Sequence, residues 1–304
     1  MPLWPQADNP QDATPSTVTA GPDSADASTV LLCTDLDRTL LPNGRQPSSP
    51  GALECFRELS RRPEIRLAYV SGRRLALIEE AITQYELPVP DFAVADVGTR
   101  IVRRGGDGWE TVALWEDELS RSWGGRSAAT LHEFLKDLPD VRLQESSAQG
   151  RFKLSYYAPP GKLAELKEKI AARLEFIQQR AEIVTSVDET TGTGLIDLLP
   201  PGASKLHAVQ CVARLCGVAL RRLVFAGDSG NDLPVLTSGI QSVLVANATS
   251  EVVAAARRER SAGLYIATGG FLGMNGNYTA GVLEGLAHFI PETGDWLRDM
   301  AARI

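Results

Sequence analysis

A chain of 304 residues with 43% hydrophobic and 23% charged residues is long enough for a sizeable core and for two domains, and reads as an ordinary globular protein. Its 38 acidic against 31 basic side chains leave a net charge of −7, and without any Lys/Arg-rich stripe this excludes a nucleic-acid backbone as partner. No stretch of about 18 consecutive apolar residues occurs, so no membrane span or membrane partner is expected.

Residues 1–28 are rich in Pro, Ser, Thr, Ala and Asp without apolar periodicity, the composition of a segment that cannot repay its ordering entropy. They are expected to form a disordered tail outside the fold. The first positive charge is Arg38, so the N-terminus has neither a secretory n-region nor an Arg-rich transit peptide. Cys33, Cys55, Cys211 and Cys216 show no paired metal-ligand spacing. A cytoplasmic, reducing location is the expectation.

From Thr29 the texture changes. The apolar run Val30–Cys33 ends in Thr34-Asp35, and the runs Leu67–Val70 and Leu223–Ala226 have the same form, suited to strands buried on both faces. Between them, Leu75, Ile78, Ile82 and Tyr85 recur at helical spacing, as do Leu163, Leu166, Ile170, Leu174 and Ile177. This alternation predicts an α/β fold with a doubly wound, Rossmann-like parallel sheet, whose ligands bind beyond the carboxyl ends of the strands. The stretch 113–200 differs: it opens with Trp115 and Trp123 and carries expected strands at Phe152–Tyr157 and Leu195–Leu199 around a long amphipathic helix. It reads as an α+β domain inserted into a core made of 29–112 and 201–304.

Four polar segments follow the apolar runs or open helices. In Thr34-Asp35-Leu36-Asp37-Arg38-Thr39 two carboxylates lie two residues apart, where the strand period can put both on one side. One could attack phosphorus while the other handles the leaving-group proton; alone, a polar loop after a strand is an even alternative. Ser71-Gly72-Arg73 could hold phosphate oxygens with its hydroxyl and N–H groups, or Ser71 could simply cap a helix. Lys205, one of six lysines, stands at the start of a helical pattern, where an ammonium can neutralise a phosphoryl oxygen. Gly227-Asp228-Ser229-Gly230-Asn231-Asp232 brings oxygen ligands suited to a hard cation such as magnesium. Arg73 and Arg74 read as solvated, and His132, His207 and His288 as structural or exposed.

Together these segments resemble the motifs of the haloacid dehalogenase superfamily: Asp-x-Asp-x-Thr, a Ser/Thr after the second strand, a Lys, and Gly-Asp-x-x-x-Asp. The resemblance implies a magnesium-dependent phosphatase with Asp35 as nucleophile and Asp37 as general acid/base. Ser71, Gly72, Lys205 and Asn231 would hold phosphate. Asp35, Asp228, Asp232 and the Asp37 carbonyl would make up the Mg2+ site.

The closer likeness is to the sucrose-phosphate phosphatase family, which carries an inserted α+β cap. It is seen in Val97-Gly98-Thr99, Trp115 with Trp123, Gln149 with Lys153–Tyr157, Asp197–Pro200, Asn247-Ala248 and Ala280–Glu284 before His288-Phe289. Leu206 and Arg100 depart from that family's pattern, which often has Gly and Glu there. By this likeness Gln149, Lys153, Ser155 and Tyr156 would bind the sugar, while the two tryptophans read as cap core. Sucrose 6-phosphate is the implied substrate and a sucrose-phosphate synthase the candidate partner. Mannosylfructose phosphate and glucosyl- or mannosyl-3-phosphoglycerate are the alternative substrates. A phosphomutase and a non-catalytic partner of a sugar-phosphate synthase are the other readings.

Overall fold

The computed structural model describes residues 28–188 and 191–302; the expected N-terminal tail lies outside them, Ser28 apart. In chain order the first half of the core runs β1 (Val30–Thr34), α1 (Ala52–Ser60), β2 (Ile65–Val70), α2 (Leu75–Gln84), β3 (Phe92–Ala95), β4 (Arg100–Gly105) and β5 (Gly108–Thr111). There follow α3 (Ala113–Ser122), α4 (Ala128–Leu135), β6 (Arg142–Leu143), β7 (Leu154–Ala158), α5 (Leu163–Phe176), β8 (Glu182–Val187) and β9 (Gly194–Leu199). The chain then returns through α6 (Lys205–Leu215), β10 (Leu223–Gly227), α7 (Leu233–Leu236), β11 (Gln241–Leu244), α8 (Ser250–Arg258), β12 (Leu264–Ile266), α9 (Thr279–Phe289) and α10 (Pro291–Ala301).

Eight strands form one sheet in the order β12-β11-β10-β1-β2-β3-β4-β5. The first six in that order are parallel, and β4 and β5 extend the edge as an antiparallel pair that the apolar runs do not predict. Burial on both faces explains the unbroken apolar runs. In β1, Val30 and Leu32 pack with Phe56 of α1 and Leu286 of α9, whereas Leu31 and Cys33 pack in the cluster that holds Val209 and Val212 of α6. The order of strand addition reverses between β1 and β10, which pair side by side in parallel although 192 residues separate the register partners Cys33 and Phe225. That is the switch point where such sheets take ligands.

A second, antiparallel sheet of order β6-β7-β9-β8 is built from the middle of the chain. On its covered face Tyr156, Ile196 and Leu198 pack with Leu131 and Leu135 of α4 and with Leu166 and Ile170 of α5. The two passages between the sheets are tied together: Ser122 at the end of α3 donates to the carbonyl of Pro201, 2.7 Å away, just before α6. Trp115 and Trp123 are buried, and the Trp115 indole donates across to the carbonyl of Gly98 at 3.0 Å. Among the described residues no helix is long and apolar enough to cross a membrane.

Candidate active site

Adjacent strand ends deliver the site. Asp35 follows β1, Ser71 follows β2 and Asp228 follows β10; the Asp35 amide continues the ladder by donating to Ala226 at 2.9 Å. Lys205 is the first residue of α6, whose N-cap Ser204 accepts from the His207 amide. Its ammonium is buried and donates to Asp35 Oδ2 and Asp232 Oδ1, both at 2.7 Å, and to Asn231 Oδ1 at 3.2 Å. The lysine is therefore a buried partner of two carboxylates rather than a solvated surface residue.

Two glycines make this geometry possible by close approach. A Cβ on Gly227 would sit 2.6 Å from the Asp232 carboxyl carbon, so a side chain there would push Asp232 from its place. Asp232 Oδ2 accepts from the amides of Asp228 and Ser229 and from the Ser229 hydroxyl. Gly98, at φ +99°, would put a Cβ 2.5 Å from the Ser204 carbonyl carbon. It ends a run, Asp96-Val97-Gly98, of three consecutive residues at positive φ. That run binds the Ser71 loop through Asp96 N–H to the Arg73 carbonyl and Val97 N–H to the Ser71 carbonyl. Ser71 itself is buried, and its hydroxyl oxygen accepts from the Arg73 amide at 3.1 Å. Gly72 is exposed beside it with no steric demand for glycine.

Three carboxylates, Asp35, Asp228 and Asp232, bring ligand oxygens within 4.8 Å of one another, all buried. Burial, reinforced by Asp232, pushes Asp35 up to about 7 against the pull of Lys205, and raises Asp228 to about 6 against Arg38. Burial works against the Lys205 cation, but Asp232 and Asp35 together outweigh it and hold it protonated. Asp228 Oδ1 accepts from the Thr39 hydroxyl at 3.2 Å, while its Oδ2 is buried without a hydrogen-bond partner. An all-oxygen set with an orphaned carboxylate oxygen fits a hard divalent cation.

Asp37 turns away from this triad. Its carboxylate takes Arg73 Nε at 2.7 Å and Nη2 at 2.6 Å, and Asn43 Nδ2 at 2.6 Å. Burial acts to raise this carboxyl, but the Arg73 and Asn43 hydrogen bonds outweigh it and hold it below the usual range. Arg73 is thus not a solvated residue after a turn, as expected, but a fork on Asp37. Arg38 and Thr39 lie inside the Asp-x-Asp-x-Thr segment without having been given a role, and Asn43, four residues beyond it, carries no local signal.

The open face of the second sheet carries Ser155 and Asp197, which are register partners. Ser155 Oγ donates to Asp197 Oδ1 at 2.5 Å, and Lys153 Nζ lies 3.7 Å from the same oxygen. Lys153 and Asp197 also bear on Asp96, whose carboxyl burial raises and Lys153 lowers. The cluster therefore lies within electrostatic reach of Asp96, which is bonded to the loop beside Ser71. Tyr156 does not join it, because the strand period sends it to the covered face. There it is 1% exposed, with its hydroxyl 2.8 Å from His132 Nδ1. Gln149 lies near the cluster, but its amide is spent on backbone: Oε1 accepts from the Ser155 N–H at 2.8 Å, and Nε2 donates to the Ser155 and Gln144 carbonyls. Of the four residues expected to bind sugar, Lys153 and Ser155 thus cluster with Asp197, Gln149 is spent on the backbone beside them, and Tyr156 lies on the covered face.

The family of sucrose-6F-phosphate phosphohydrolases matches residues 28–290. A haloacid-dehalogenase-like hydrolase of Nitrosococcus oceani is 50% identical over 273 residues, covering 88% of this chain and 74% of that one. The mannosylfructose-phosphate phosphatase of Agrobacterium fabrum is 30% identical over 267 residues, covering 85% and 96%. Among solved structures, the sucrose-phosphatase of Synechocystis sp. PCC6803 in complex with sucrose and phosphate superposes with a TM-score of 0.66 at 25% identity, covering 86% of this chain and 98% of that one. The chain spans 31%, 60% and 52% of the length of three further curated relatives that it matches.

Proposed function

The chain belongs to the sucrose-6F-phosphate phosphohydrolase family and is a phosphatase of the haloacid dehalogenase superfamily; on that premise we propose that it hydrolyses a disaccharide phosphate, sucrose 6-phosphate foremost, through an aspartyl-phosphate on Asp35. The observation that carries this reading is the buried Lys205 ammonium held between the Asp35 and Asp232 carboxylates at the switch point of the sheet. A phosphoryl group entering there meets Lys205, the Ser71 hydroxyl and the Gly72 N–H as donors.

A carboxylate oxygen of Asp35 forms the bond to phosphorus as the bond from phosphorus to the sugar oxygen breaks, and the electron pair leaves with that oxygen. Asp37 gives the oxygen its proton. In the resting arrangement Asp37 is a carboxylate gripped by Arg73 and Asn43, so the acid step requires it to let go of at least one donor and to take up a proton from solvent before the ester bond breaks. As a base, Asp37 then takes a proton from water, the water oxygen attacks phosphorus, and the aspartyl bond breaks to restore Asp35 and release inorganic phosphate. Asp35, Asp228 and the Asp37 carbonyl, supported by Asp232, would hold Mg2+, which when bound neutralises charge on the phosphoryl oxygens.

We take the segment from α3 to β9 as the cap, with Lys153, Ser155 and Asp197 addressing sugar hydroxyls. The Synechocystis sucrose-phosphatase with bound sucrose favours sucrose 6-phosphate. The higher identity to the Agrobacterium enzyme favours mannosylfructose phosphate as the second reading.

The test is phosphate release from a panel of sugar phosphates with magnesium, wild type against Asp35→Asn. Preference for sucrose 6-phosphate that disappears in the variant supports the first reading. A peak on mannosylfructose phosphate keeps the mechanism and replaces the substrate. Release that survives in Asp35→Asn overturns the nucleophile.

A further inference from the structure

The middle of the Asp-x-Asp-x-Thr segment holds a charged side chain for which the mechanism above has no task. Arg38 sits at φ +58°, a conformation that Asn and Gly enter readily and a long side chain seldom does. It is locked there from both ends. Its N–H donates to Asn43 Oδ1 at 2.8 Å, and its carbonyl accepts from Asn247 Nδ2 at 2.6 Å. The guanidinium then reaches the metal-site carboxylate, with Nε 3.4 Å from Asp228 Oδ2. That oxygen is the buried one with no hydrogen-bond partner, and 3.4 Å is an ion-pair distance rather than a good hydrogen bond. Arg38 remains 36% exposed while Asp228 is 3% exposed, so the arginine can withdraw into solvent and the carboxylate cannot.

We propose that Arg38 is a resident counter-cation of the metal site: it neutralises Asp228 in the metal-free enzyme, competes with the divalent cation for that carboxylate, and so sets the metal affinity lower than the three carboxylates alone would. This rests on the metal-site reading given under the proposed function. A divalent ion bound by Asp228 must displace the guanidinium from Oδ2 or sit beside a like charge, and either route weakens binding. The effect is a partial one, because a half-exposed ion pair is screened by solvent.

The experiment is calorimetric titration of Mg2+ into the full chain, without substrate, for wild type, Arg38→Asn, Arg38→Lys and Asp228→Asn. Asn suits the left-handed backbone, so the charge is removed with the loop retained. The expected result is a Kd roughly three- to tenfold lower in Arg38→Asn, the size of a partly screened ion pair. Arg38→Lys should stay close to wild type, and Asp228→Asn should lose the heat. Equal or weaker binding in Arg38→Asn, with wild type still titrating, overturns the role of Arg38 and leaves the metal site standing. Absence of Mg2+ binding in the wild type, or binding unchanged in Asp228→Asn, overturns the metal-site reading and this inference with it.

Discussion

Replacing Lys205 by Met isolates the term that holds the site together. The lysine and its two partners have side-chain exposures of 1%, 7% and 0%, so solvent cannot take over from the lost cation. Removing one member of a buried charge group costs roughly 3–5 kcal/mol, because the remaining charges stay buried and unpaired. At about 2–4 °C per kcal/mol for larger domains, the melting temperature at pH 7.5 should fall by roughly 6–20 °C. The deficit depends on pH with a definite sign. Burial already raises Asp35 to about 7, so the folded state holds a proton that the unfolded chain releases, and its contribution to stability declines as pH rises from about 4 towards 7. Loss of Lys205 moves that carboxyl further up, so the deficit of Lys205→Met should be smallest at pH 5 and largest above 7. Adding Asp35→Asn to Lys205→Met should recover part of the loss, whereas Asp35→Asn alone should melt close to wild type while releasing no phosphate. Differential scanning calorimetry of the four proteins across pH 5–8 reads all of this. A Lys205→Met protein melting within about 2 °C of wild type at pH 7.5 would refute the buried-charge reasoning.

Gly227→Ala should cost roughly 1–3 kcal/mol, the range for forced overpacking, and should lower kcat as well, since the new methyl displaces Asp232; a chemical denaturation series and initial rates check both. Arg73→Gln should destabilise by about 1 kcal/mol at pH 7, discounted because the Asp37 side chain is 42% exposed. Since Asp37 is held below its ordinary range, that loss should persist at pH 7 and shrink as pH falls below the ordinary carboxylate range, as a series of urea titrations at progressively lower pH would report. Tyr156→Phe should lose about 1 kcal/mol with its His132 hydrogen bond and leave KM for the sugar phosphate unchanged; a raised KM would return Tyr156 to the sugar site. Gln149→Met should raise KM at least about threefold with little change in kcat, because it frees the Ser155 strand from its clamp without touching the reacting atoms.

The chemistry-bearing end of the sheet was legible because its signals are local and cumulative. Unbroken apolar runs reported strands buried on both faces, and each was followed directly by the polar residues that the strand end presents. Lys205 was placed at a helix start from periodicity alone, but its burial was not predictable, because that depends on Asp35 arriving from a strand end 170 residues earlier and Asp232 from a 3-10 turn 27 residues later. The cap was harder. Period-two alternation puts Lys153 and Ser155 on one face of the strand and Tyr156 on the other, a distinction the family likeness does not make. Gln149 is ambiguous for a different reason: an amide side chain offers the same donor and acceptor to a sugar as to a strand, and only the register of β7 decides which it meets. The Arg73 fork and the Arg38 contact depend on rotamers and loop path, which no spacing encodes. The β4–β5 pair escaped because its residues are half exposed and lack an apolar run.

The loop that follows Asp35 is fastened by the far end of the chain. Asn247 holds the Arg38 carbonyl, Thr279 donates to the Leu40 carbonyl at 2.6 Å, Tyr278 bonds Gln46, and Asn275 and Asn277 both donate to the Pro47 carbonyl. During synthesis the nucleophile strand leaves the ribosome early, but its loop has nothing to close against until residue 279 has emerged. The nascent enzyme should therefore stay silent until residue 279 has emerged and then become competent abruptly, with little chance of attacking phosphate esters from a half-built site.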